Sequence, residues 1–112
     1  MNFRKERAED VIELELSQII ARELEFPNTL VTITAVRVNK KLDRADINFS
    51  IIPSEKSGEI LEILNKEKVN LRNLLKKKVK MKFMPQLQFE IDHGPEDAAH
   101  IEKLLLEEDK ID

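Results

Sequence analysis

Between Arg44 and Ile51 polar and apolar residues alternate without a break, with Ala45, Ile47, Phe49 and Ile51 on one face and Arg44, Asp46, Asn48 and Ser50 on the other. A period of two is the signature of a strand with one wet face and one buried face. Such a strand needs neighbours for its backbone groups and a second layer over its apolar side, and both requirements constrain the rest of the chain. Just upstream, Leu30 to Val38 (LVTITAVRV) is dominated by β-branched residues and fits no helical period. The polar connection 39–43 makes it the expected hairpin partner. Its alternation slips phase near Ala35, as a bulge or cover on both faces would produce. From Val79 the period is two again: Val79, Met81, Phe83, Leu87, Phe89 and Ile91 alternate with Lys80, Lys82, Gln86, Gln88 and Glu90. That predicts a third strand. Pro85 donates no ladder hydrogen bond, so it marks either an edge position or the true strand start.

The covering layer comes from segments of helical period. Arg4 to Leu24 places Ala8, Val11, Ile12, Leu16, Ile19 and Ile20 at helical spacing, and Phe26-Pro27-Asn28 ends it. After Pro53, the stretch Ser54 to Gly58 leads into a helix built on Ile60, Leu61, Ile63 and Leu64. Asn65 to Asn70 is weakly helical, and a third helix carries Leu71, Leu74 and Leu75. Beyond His93-Gly94-Pro95 a short terminal helix on Ala98, Ile101, Leu104 and Leu105 runs to about Glu107. The expected fold is α+β: a three-stranded sheet packed on helices, forming one domain over residues 1–106, with an acidic tail over 107–112. A single domain suits a chain of 112 residues.

Composition removes several function classes. Without Cys there is no disulfide framework, thiol nucleophile or Cys-based zinc site, and a cytoplasmic location is the expectation. The start MNFRKERAEDVIELEL has no apolar run free of charge, and no stretch approaches the roughly 18 apolar residues of a membrane span, so a soluble, unprocessed protein is expected. Two Gly exclude a Gly-rich phosphate loop, and no nucleophile motif or carboxylate pair stands out, so neither an enzyme nor a bound cofactor is expected. Asp92, His93, Asp97 and His100 lie close in sequence, but polar loop and helix-surface roles outweigh a metal site for so generic a cluster. Five Phe with no Trp or Tyr leave a mainly aliphatic core and no expected exposed ring for base stacking.

Charge carries the functional signal. The net charge is -3, yet residues 66–82 hold eight Lys or Arg against one Glu, and residues 83–112 hold two against nine acidic residues. Eight basic residues within seventeen exceed what solubility requires and point to a polyanion. In the third helix Lys68, Arg72 and Lys76 fall at i, i+4 and i+8 on one stripe, with Lys77 farther around and Lys80 and Lys82 on the polar face of the following strand. Two smaller groups join the candidate surface: Arg4, Lys5 and Arg7 in the first helix, and Lys40, Lys41 and Arg44 around the hairpin turn. Cations at a helix N-terminus oppose the macrodipole, which favours a use other than helix stability. The bland alternative for each group is a solvated face. The competing function is a protein-interaction module whose lysines only solubilise.

The residues also resemble a known family. Pro85-Gln86-Leu87-Gln88-Phe89-Glu90-Ile91-Asp92 is similar to the Pro-x-Leu-x-Phe-x-x-Asp segment of ribosome-binding factor A. Val31 to Val38, Ala45-Asp46-Ile47 and Leu71-Arg72-Asn73-Leu74-Leu75 extend the resemblance in order from Arg4 to about Leu105. It implies a type II KH fold of helix, strand, strand, helix, kinked helix, strand. It further implies a protein that binds the small (30S) ribosomal subunit and 16S rRNA near the 5′ end helix and the decoding-site neck, assists late rRNA maturation, and serves cold adaptation; a monomer is the separate expectation. Two positions depart from the family pattern. Its Ser-x-Asp-Leu turn reads Asn39-Lys40-Lys41-Leu42, and its Ala-x-Gly kink reads Glu67-Lys68-Val69. A kink is then expected from Asn65 or Asn70, or else a smoother join. RNA shape, read through phosphates, is the expected basis of discrimination.

Overall fold

A computed structural model describes residues 4–92 of the chain. Its elements are α1 (Arg4–Glu23), β1 (Leu30–Val38), β2 (Arg44–Ile52), a 3-10 turn (Ser54–Lys56), α2 (Ser57–Lys66), α3 (Lys68–Lys78) and β3 (Gln86–Ile91). This is the element order of the type II KH fold. The anticipated terminal helix, the His93–His100 cluster and the acidic tail lie outside the described residues. Among the described residues no helix is long and apolar enough to cross a membrane.

The sheet runs β1-β2-β3, with β1 antiparallel and β3 parallel to the central β2. The phase slip in β1 is a bulge: Ile33 faces Phe49 and Ala35 faces Asn48, leaving Thr34 as the extra residue. Val31 and Ile33 therefore pack against the core before it, and Val36 and Val38 after it. The Thr34 hydroxyl lies 2.9 Å from a carboxylate oxygen of Asp92 and 3.2 Å from the Asn48 carbonyl, two acceptors between which its single proton chooses.

The predicted third strand is too long by seven residues. Residues 79–85 are irregular, and the ladder starts where Arg44 meets Gln86. The reason is tertiary. β2 begins at Arg44, so the segment before Gln86 has no strand beside it. Its local chain turns back instead, Met81 N–H donating to the Val79 carbonyl at 3.0 Å. Pro85 thus precedes the strand start on an edge strand, where its missing N–H is harmless. The alternation also breaks here, with Met84 entering the core while Phe83 is left outside.

The three helices of the described residues cover one face of the sheet. Ala8, Ile12, Leu16, Ile19 and Ile20 of α1 meet β1 and α3, and α2 lies over β2 and β3. Ile12, Leu16, Ile47, Phe49, Leu64, Leu71 and Leu75 are fully buried at the centre. Each such side chain contributes about 1.5–3 kcal/mol. The carboxylate of Glu9 accepts from the Val38 N–H at 2.8 Å, tying α1 to the edge of β1. Between α2 and α3 the helix does break, and at Glu67 itself, which sits at φ -89°, ψ -1°. Neither Asn65 nor Asn70 makes the kink. Glu67 N–H still reaches the Ile63 carbonyl, and Leu71 N–H the Glu67 carbonyl, so one residue absorbs the bend without Ala or Gly.

Candidate nucleic-acid interface

The three basic groups that are separate in sequence meet in one open groove. Arg4 and Arg7 reach it from α1, Lys41 from the hairpin turn, and Lys78, Lys80 and Lys82 from the end of α3 and the segment after it. Among the described residues Glu15 and Asp43 are the carboxylates of its lining, so six cations face two anions there. Ala8, Val11, Leu42, Val79, Met81, Phe83 and Met84 supply apolar lining between them. Val11, expected in the core, is 39% exposed because α1 turns it toward this groove. Clustered cations with few counter-charges raise the local potential and draw in phosphate.

Each wall has a local cause. The hairpin turn is organised by Asn39, whose side-chain oxygen accepts from the N–H groups of Asp43 and Arg44 at 3.0 and 3.1 Å while its amide donates to the Asp43 carboxylate. Leu42 takes a left-handed conformation, φ 60°, and packs its side chain against the core. Lys41 is left exposed toward the groove. At the other wall, α3 ends in Lys76, Lys77 and Lys78, where cations complement the helix dipole.

The remaining predicted residues divide by environment. Arg72 is half-buried and points inward, donating from Nη2 to the Met84 carbonyl at 2.8 Å and from Nε to the Pro85 carbonyl at 3.2 Å. Its place in the helical stripe serves the loop. Lys68, also half-buried, holds its ammonium 5.4 Å from the centroid of the buried Phe89 ring. Arg44 donates to Asp46 at 2.8 Å, and that hydrogen bond and charge raise its pKa further above its ordinary value. Lys5, Lys40, Lys76 and Lys77 are exposed but do not line the groove. The regular i, i+4, i+8 stripe is therefore not a single phosphate-facing row.

Two groove residues escaped the sequence reading. Lys78 was hidden inside a run of three lysines that gives no cue to which one turns inward. Phe83 contradicts the expectation that no ring would be exposed, being 74% accessible with the Lys82 ammonium 5.7 Å from its centroid. Its neighbour Pro85 was the available signal, since a strand that begins after Pro85 no longer dictates where Phe83 points.

Comparison with known proteins agrees with this architecture. The family model described as ribosome-binding factor A matches residues 4–105. Ribosome-binding factor A of Chloroherpeton thalassium is 35% identical over 108 residues, covering 94% of this chain and 86% of that one. The Pseudomonas aeruginosa (strain UCBPP-PA14) protein is 36% identical over 113 residues, covering 94% and 88%. The crystal structure of ribosome-binding factor A from Thermus thermophilus superposes with a TM-score of 0.67 at 26% identity, covering 78% of this chain and 93% of that one. A homology model of the Thermus thermophilus factor, fitted into the cryo-EM map of a 30S–RbfA complex, gives 0.58 at 27% identity over 73% and 92%. With the matched family model spanning nearly the whole chain and relatives above 30% identity over most of their length, this chain belongs to the ribosome-binding factor A family.

Proposed function

We propose that this protein is a non-enzymatic assembly factor that binds the small ribosomal subunit, with the groove between α1, the hairpin turn and the 78–83 segment laid against 16S rRNA. On this reading it acts as a monomer, holds one rRNA conformer during late maturation, and supports growth in the cold. The observation that carries the reading is the convergence of Arg4, Arg7, Lys41, Lys78, Lys80 and Lys82 on one surface of a chain whose net charge is negative. Nonspecific stickiness does not account for a local excess on an acidic protein. A Thermus thermophilus relative fitted into a 30S complex map supports the choice of partner.

Phosphate contacts position such a protein, and counterion release makes them salt-dependent. The test is sedimentation with precursor and mature small subunits at moderate and high salt. Binding to precursor particles that disappears at high salt, and falls when Arg7, Lys41, Lys80 and Lys82 are reversed to Glu, is the expected result. Unchanged co-sedimentation of that variant would remove the groove from the interface.

A further inference from the structure

We infer that Phe83 is a stacking platform for an unpaired RNA base, so that the groove takes a single-stranded segment rather than duplex alone; this rests on the RNA-binding reading above. The ring is 74% exposed, although burial of an aromatic side chain is among the larger gains open to a folding chain. Its backbone is not loose. Met84 and Pro85, the next two residues, are buried, and Arg72 clamps both of their carbonyls. A ring projecting from a tethered segment loses little freedom when a ligand lies on it.

The surroundings select the occupant. The Lys82 ammonium stands 5.7 Å from the ring centroid, and Lys78 and Lys80 of the same segment line the groove together with Arg4 and Arg7 of α1 and Lys41 of the hairpin turn. An apolar protein segment would use the ring and leave Lys78, Lys80 and Lys82 beside it without an anion. An acidic peptide would satisfy the cations and leave the ring wet. A nucleotide carries both a flat π surface and a phosphate, and only an unpaired one can present its base face, because duplex bases are stacked within their own helix.

The chain has no Trp or Tyr, so Phe83→Trp gives a sole indole reporter in the groove. The probes are a single-stranded RNA of about ten nucleotides and a duplex of equal length, with site sizes of that order usual for such grooves. We expect the single strand to quench the indole and the duplex to leave it bright. Phe83→Ala and Phe83→Leu should each weaken single-strand binding roughly 5- to 100-fold, with the salt slope and the melting temperature unchanged. Full affinity in Phe83→Leu would overturn stacking, because leucine keeps the apolar bulk without the π face. Equal single-strand affinity in Phe83→Ala, while Lys80→Glu with Lys82→Glu abolishes it, would remove the platform and keep the RNA-binding groove. A Phe83→Ala defect confined to protein-bearing subunits, with naked RNA bound normally, would assign the ring to a ribosomal protein. No RNA binding by the unmodified chain would sink both readings.

Discussion

Arg72 shows how one side chain separates stability from function. Its guanidinium satisfies the carbonyls of Met84 and Pro85, two buried residues in a segment that has no ladder of its own. Buried carbonyls without partners are costly, and hydrogen bonds from a charged donor are worth about 1.5–3 kcal/mol. Arg72→Ala should therefore lower unfolding free energy by about 2 kcal/mol in urea titration. Arg72→Lys should recover only part of this, since a lysine lacks the planar fork. Lys76→Glu with Lys77→Glu should cost less, about 1 kcal/mol, because both side chains are exposed and lose only their favourable place at the C-terminus of α3. A second residue is fixed by backbone geometry. Asn28 has φ 57° within the Phe26–Thr29 turn, where Thr29 N–H donates to the Phe26 carbonyl at 3.2 Å. Asn tolerates that conformation; a β-branched residue does not. Asn28→Val should cost about 1–2 kcal/mol by thermal or urea melting, while Asn28→Gly should hold or slightly raise stability.

At the level of elements, the irregular 79–85 segment matters more than the regular helix before it. It carries Lys80, Lys82 and Phe83 into the groove while Val79 and Met84 anchor it. Helix α3 instead turns much of its surface inward, with Leu71 and Leu75 in the core, Arg72 on the loop and Lys68 over Phe89, and only Lys76 of the basic stripe is fully exposed. Charge reversal at Lys78, Lys80 and Lys82 should accordingly weaken binding to a small-subunit rRNA fragment more than reversal at Lys68, Lys76 and Lys77, although both sets carry three charges. Filter binding at fixed salt distinguishes them. Equal losses would mean that total charge, not the groove, governs affinity.

For the molecule as a whole, the net charge of -3 understates the positive field at the basic side. If all six groove cations contact phosphate on a single strand, log K should fall against log salt with a slope of about -4. A slope near zero would place the groove outside the interface. Integrity of the fold rests on a core shared by helices and sheet. Phe49 is fully buried in the central strand and meets Phe89 edge-on with ring centroids 5.4 Å apart. Phe49→Ala should cost about 3–5 kcal/mol, a large share of the roughly 5–15 kcal/mol that holds a domain together. A urea midpoint moved sharply downward is the expected readout.

Element identity was legible in the residues, because period is a local property. Arg44 to Ile51 alternates so strictly that its strand is unmistakable, β1 is bounded as expected from Leu30 to Val38, and even its bulge was written in the phase slip near Ala35. The family resemblance likewise lay in short motifs at ordered spacing. Which distant residues share a surface was settled by packing alone. Arg4, Lys41 and Lys82 meet because α1 packs on β1 and α3 and the turn closes beside them, and no local pattern encodes that packing. The same holds for the late start of β3, set by where its neighbour β2 begins, and for the kink at Glu67, which comes without either small residue of the family signature. Periodicity reports which side of an element is apolar. It is silent where the chain is irregular, and that is where the groove acquires its lysines and its exposed ring.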